Sequence, residues 1–294
     1  MEIVYHIGAH CTDDDALLKS LVKNRRPLAG EGIALPGPPK YRRVLSEAVT
    51  DMIQGKEMRH TRDSLLEEIL PMPDAHRVAM SNRNFFCVPN RIFEGGGFYH
   101  LADAKLQALG EIFAEDDIEI MLAIRDPAAF IPAAFAQSSG TSFESFMAGV
   151  DPDLVSWAEL IDRILEAIPD VKLTVWCDED SPFIWPHVLR AMAGVDPGVR
   201  IVGGYDLVGE ILTPEGIEKL KVYFRKNPPK TEAHRIKVLG AFLERFARPE
   251  MMIEEFENPG ISEDLLADFS DNYDEEVAEI AARDDIEFLR PETG

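Results

Sequence analysis

Short apolar runs alternate along this chain with longer stretches in which apolar residues recur every three or four positions. Runs of β-branched and aliphatic residues bounded by turn or polar signals predict strands over residues 3–7, 33–35, 78–81, 118–124 and 171–176. Amphipathic spacing predicts helices over 14–24, 63–70, 102–113, 128–138, 154–168, 186–193, 214–225 and 232–247. Strands separated by helices need crossover connections, which give an α/β fold with a doubly wound, mostly parallel sheet flanked by helices. No strand is expected after Trp176, so residues 181–294 read as a mainly helical C-terminal third packed on a core formed by 1–180, all within one domain. In such sheets ligands bind beyond the carboxyl ends of the strands.

A chain of 294 residues with 46% hydrophobic content can bury a substantial core. Its formal charge of −23 repels polyanions, which argues against nucleic acid or anionic lipid as a partner. Between residues 250 and 294, 16 acidic residues stand against Arg283 and Arg290, a net of −14. The same segment carries Met251, Ile253, Phe256, Leu265, Leu266, Phe269, Tyr273, Val277 and Ile280 at helical spacing. That pattern predicts packed helices with a solvated acidic face, not a disordered tail. No apolar run reaches the length of a membrane span and the start lacks a signal-peptide pattern, so a cytoplasmic protein is expected. Cys11, Cys87 and Cys177 are widely spaced with no CxxC pair, which predicts reduced thiols and no metal site.

The chemistry concentrates in HIGAHCTDDDALLKSL, residues 6–21, where an apolar strand runs through a glycine turn into a helix. Backbone amides converging at such a turn, together with the helix dipole, make a phosphate cradle. The usual nucleotide-binding version adds a lysine and a neighbouring Ser or Thr. Here three aspartates stand where an anion would sit.

This stretch and KNRRPLAGEGIALPGP after it resemble the start of bacterial P-loop sulfotransferase-like proteins. The similarity continues through VAMSNRNF, IMLAIRDPAAFIPAAFAQ, VKLTVWCDED and NYDEEVAEIAARDDIEFLRP, nearly the whole chain. The resemblance implies a P-loop-type fold and transfer of a sulfuryl group from 3′-phosphoadenosine-5′-phosphosulfate (PAPS) to a hydroxyl or amine acceptor. It makes Gly8, Ala9, His10, Cys11 and Thr12 the donor cradle, Arg125 the contact to the donor's 3′-phosphate, and His10 a candidate base or donor ligand. The donor, or its product 3′-phosphoadenosine-5′-phosphate (PAP), is the cofactor it implies, and a small-molecule acceptor the partner.

The chain departs from the family pattern at each chemical role. Cys11 takes the place of the loop lysine, and Asp13, Asp14 and Asp15 replace a small residue and two hydroxyl residues. Ala133 and Phe135 replace the serine and tyrosine that accompany the arginine; Ser138 and Ser139 are near but out of register. Where the family often carries a base, this chain has Asn82 and Arg83, neither of which accepts a proton at neutral pH. Losing the lysine and adding carboxylates reverses the sign of the site.

Read as structure alone, Thr12 with Asp15 three residues on makes a capping-box-like pattern, and first-turn aspartates suit the helix dipole. The aspartates would then satisfy the amides themselves. His6, His10, Cys11 and the aspartates are metal-ligand types whose spacing fits no standard zinc pattern. A nucleophilic Cys11 would face three neighbouring carboxylates that oppose its thiolate. Lys219, Lys221, Arg225, Lys226, Lys230, Arg235 and Lys237 form a basic island, read either as solvated helix faces or as a dock for an acidic partner. Two functions follow: a sulfotransferase with a diverged donor or acceptor, or a noncatalytic relative, needing no cofactor, that binds a ligand or a protein. Aspartate side chains folded back on the first helical turn would distinguish the second.

Overall fold

The computed structural model describes residues 1–57, 59–138, 142–251 and 260–292; Ser139, Ile253 and Phe256 of the sequence reading lie outside them. Strand β1 (Glu2–His6) leads to α1 (Ala16–Val22) and α2 (Arg25–Gly30), and β2 (Ile33–Ala34) to α3 (Pro38–Ile53) and α4 (Arg62–Ile69). Next come β3 (Arg77–Ser81), α5 (Ala102–Ile112), β4 (Asp117–Ile124), α6 (Pro127–Gln137), α7 (Phe143–Met147) and α8 (Trp157–Ala167). After β5 (Lys172–Cys177) follow α9 (Ser181–Ala193), α10 (Asp206–Ile211), α11 (Pro214–Lys226), α12 (Glu232–Phe246), α13 (Glu263–Ala281) and β6 (Glu287–Leu289).

The six strands form one all-parallel sheet in the order β2-β3-β1-β4-β5-β6. Val4 lies beside Ala79 on one side and Glu119 on the other. The connection from β1 runs toward the β2 edge and that from β4 toward the β5 edge. Strand order therefore reverses between β1 and β4, and a crevice opens at their carboxyl ends.

Alternation along β1 assigns its side chains to two layers. Ile3, Tyr5 and Ile7 join a core with α3, α4, α5, α6 and α8. Val4 faces the opposite layer, where Leu17 and Leu21 of α1 meet Trp185, Leu189 and Met192 of α9. A seven-residue helix is marginal by itself. Leu17 and Leu21, each 0% exposed, hold α1 in place by about 1.5–3 kcal/mol apiece.

Several expectations need correction. A strand does follow Trp176: β6 pairs with β5, with Leu289 beside Trp176. It is three residues of an acidic segment on the sheet edge, too short to show a period. Helix α1 starts at Ala16, not at residue 14, because Asp14 (φ 43°) and Asp15 (φ 64°) hold left-handed backbone. Helix α9 starts at Ser181, with Pro182 in its first turn, and Pro186 lies inside it. Helix α3 was not predicted, although Pro38 and Pro39 open it and Tyr41, Val44, Leu45, Ala48 and Val49 are its buried stripe. Helix α2 was missed as well. Among the described residues no helix is long and apolar enough to cross a membrane.

Candidate functional site

Past β1 the chain keeps an extended path beside β4. The Ile7 amide donates to the Met121 carbonyl (3.0 Å), that of Ala9 to Ala123 (2.9 Å), and Ala123 returns a bond to Gly8 (2.8 Å). Gly8 has φ 118°, a value L side chains rarely adopt, and a Cβ there would lie 3.4 Å from the Arg83 carbonyl. The glycine is thus required by its backbone conformation, with the loop after β3 packed beside it.

The next residue turns away from the crevice. His10 is buried and stacks on Tyr99 at 5.6 Å between rings. Its Nε2 donates to the Cys87 carbonyl (3.0 Å), so Nδ1 accepts from the Tyr99 hydroxyl (2.7 Å). The His10 amide donates to that same hydroxyl oxygen (3.3 Å). Burial pulls the imidazole pKa down to about 4, which keeps the ring neutral, with both nitrogens engaged.

Each aspartate has a separate partner. Asp13 is buried, and its carboxylate accepts from the amides of Asp15 (3.3 Å) and Leu17 (3.0 Å) while its carbonyl accepts from Ala16 (2.7 Å). Asp14 pairs with Arg83, and Asp15 with Arg42 at 2.5 Å. The capping pattern between Thr12 and Asp15 does not form. Asp15 stands at the cap position without a side-chain bond to the helix amides, and the Thr12 hydroxyl donates to the Ala9 carbonyl (2.9 Å). The cap comes from Asp13. Three amides at the helix start, together with those of Ala9 and His10, are therefore spent within the chain.

Arg125, directly after β4, is buried and donates from Nη1 to the Cys11 carbonyl, while the Trp157 indole donates to the Arg125 carbonyl (2.8 Å). The structure thus brings Arg125 to the Gly8–Thr12 loop and directs His10 elsewhere. Ala133 is buried in the same layer as Phe130 and Ile131, and the half-buried Phe135 packs on Phe143 and Phe146. The Cys11 thiol is pushed up to about 11 by burial, against the pull of Arg125 and Arg83, and is not a thiolate at neutral pH.

The carboxyl end of β5 adds charge that sequence reasoning missed. Burial raises the Asp178 carboxyl to about 7; Arg125 opposes the rise and Glu179 and Asp13 reinforce it. Asp178 is nonetheless partly open to solvent. The acidic helix α13 reaches this same end, where Ser270 donates to Asp126 (2.6 Å) and Tyr273 to Glu179 (3.2 Å). The WCDED run following a strand was the available signal for Asp178 and Glu179. No sequence signal joined α13 to it, since Ser270 lies 144 residues from Asp126.

The basic island is divided. Lys219 and Lys221 pair with Glu215 and Glu218 on their own helix, whereas Arg235 is buried. The three cysteines are unpaired with one another, and no group of three His, Cys, Asp or Glu side chains among the described residues could hold a metal ion.

No family model, curated protein or solved structure matches the chain. A phosphosulfate donor fits these residues poorly. The amides of Ala9, His10, Asp15, Ala16 and Leu17 are occupied, Cys11 stands where a lysine would neutralise it, and the Asp13 carboxylate at the helix start meets it with like charge.

Proposed function

We propose that this is a noncatalytic sulfotransferase-like protein, a binding module whose donor cradle is filled by its own Asp13 carboxylate. The observation that carries this reading is the pair of bonds from the Asp15 and Leu17 amides to Asp13, which spend on the chain's own carboxylate the helix-start amides an anion would use. The neutral, fully bonded His10 supports it by leaving that position without a base, and the carboxylates around Arg125 add repulsion toward a nucleotide. The motif resemblance along the chain supports descent from a PAPS-dependent transferase.

Calorimetric titration with PAP, the donor's product, tests the cradle without knowledge of an acceptor. The wild type is expected to give no heat of binding. A variant carrying C11K, D13G, D14T and D15T, the family's residues, is expected to bind. Micromolar binding by the wild type that weakens on Arg125→Ala would overturn the proposal and restore the transferase reading.

A further inference from the structure

A cavity of about 690 Å³ lies among α9, α10, α11 and α12 and the segment before α10, and no residue of the loop after β1 lines it. One part of its wall is apolar, with Val208, Leu212, Leu220 and Phe224 among the residues present. The other part is charged. Arg190, Arg200, Lys221 and Arg235 line it against two carboxylates, Asp206 and Glu232. Four cations to two anions is an unusual balance for a chain of charge −23.

Most of these charges are held in place. Asp206 accepts from Lys23 and Ser20, each at 2.6 Å. Arg190 donates to the carbonyls of Pro186 (3.2 Å) and Val199 (3.3 Å). Arg235 is only 4% exposed; its Nε donates to Glu232 (2.6 Å) and its Nη2 to the Phe183 carbonyl. Its Nη1 is buried with no hydrogen-bond partner among the described residues. The nearby phenol of Tyr205, on the same wall, feels the guanidinium's charge. That nitrogen is closed off from the cavity, so Arg235 lends charge to the wall, and Arg200, exposed on the segment before α10 and without an ion pair among the described residues, is the cation open to a ligand.

We propose that this cavity is a second ligand site, which takes a small amphiphilic anion. Its acidic head lies toward Arg200, with Arg190 and Arg235 adding charge behind it, and its apolar body lies against Val208, Leu212, Leu220 and Phe224. Apolar lining with a few convergent polar groups is the ordinary make-up of a small-molecule site, and 690 Å³ falls in the usual size range. The site is independent of the cradle reading, because the two share no residue.

Isothermal titration of the full chain with decanoate tests it, with decanol as the body-only probe and inorganic phosphate as the head-only probe. Decanoate is expected to bind at least about tenfold more tightly than either, and Arg200→Met to weaken it by about tenfold, as for loss of a charged hydrogen bond. Ile217→Trp, which fills the cavity, is expected to abolish binding while Arg200 stays intact. Absence of decanoate binding by the wild type, equal binding of decanol, or retained affinity in either variant would overturn the proposal.

Discussion

Replacing Asp13 with alanine removes one carboxylate and exposes two functions at once. The Asp15 and Leu17 amides lose their acceptor in a buried setting, and the start of α1 loses the negative charge its dipole favours. Loss of a capping side chain costs about 0.5–2 kcal/mol, and buried unsatisfied amides place this case at the upper end, near 2 kcal/mol. For a domain of this size that is a fall in Tm of about 4–8 °C. The expected partner observation is chemical rescue. If the carboxylate stands in for an anion, the vacated amides should accept sulfate. With a Kd of about 10 mM, 50 mM sulfate would return about 1 kcal/mol. Urea unfolding of wild type and Asp13→Ala, with and without sulfate, separates this from the general stabilisation sulfate confers on any protein. A variant within about 0.5 kcal/mol of wild type, or equal sulfate effects on both, would refute the reasoning.

Tyr99→Phe strands the Nδ1 acceptor and the amide of His10 and is expected to cost about 1–3 kcal/mol by chemical denaturation. Because the folded His10 pKa of about 4 lies below its unfolded value, the unfolded chain binds the extra proton between pH 4 and about 6.5. His10→Asn should therefore flatten a rise in stability with pH across that window. Asp178 has the opposite sign: its folded pKa of about 7 lies above the unfolded one, so its contribution falls as pH climbs from about 4 to 7. Asp178→Asn is expected to match wild type near pH 4 and to exceed it by roughly 1 kcal/mol at pH 8, a figure discounted for partial exposure. Equal stability of the two at pH 8 would contradict this sign.

Five strands were legible because a buried parallel strand reads as a compact apolar run, as in Ile3–Ile7 or Ile118–Ile124. Helix α3 carried its signal in Tyr41, Val44, Leu45, Ala48 and Val49, but the prolines of LPGPPKY masked it as a loop. The sequence also exposed the strand-to-helix loop and the excess of carboxylate in it. It could not say which aspartate caps the helix, since the left-handed turns at Asp14 and Asp15 decide that. Nor could it foresee where His10 points, because Tyr99 and Cys87 are 89 and 77 residues away. Local pattern reports local structure, and the site is closed by distant partners. The cavity was hidden for a similar reason: Arg235 reads as one more cation in a basic run until α9 and α12 are packed together.

Strand β6 bears on how the molecule is made. Glu287 sits beside Thr174 from 113 positions further along the chain, so the outer edge of β5 stays unpaired while the five helices α9 to α13 of the described residues are made. An open parallel edge of Thr174, Val175 and Trp176 is sticky on the ribosome. The sheet is completed only when residues 287–289 have been made and dock on that edge, and until then β5 offers an unpaired strand to any neighbouring chain.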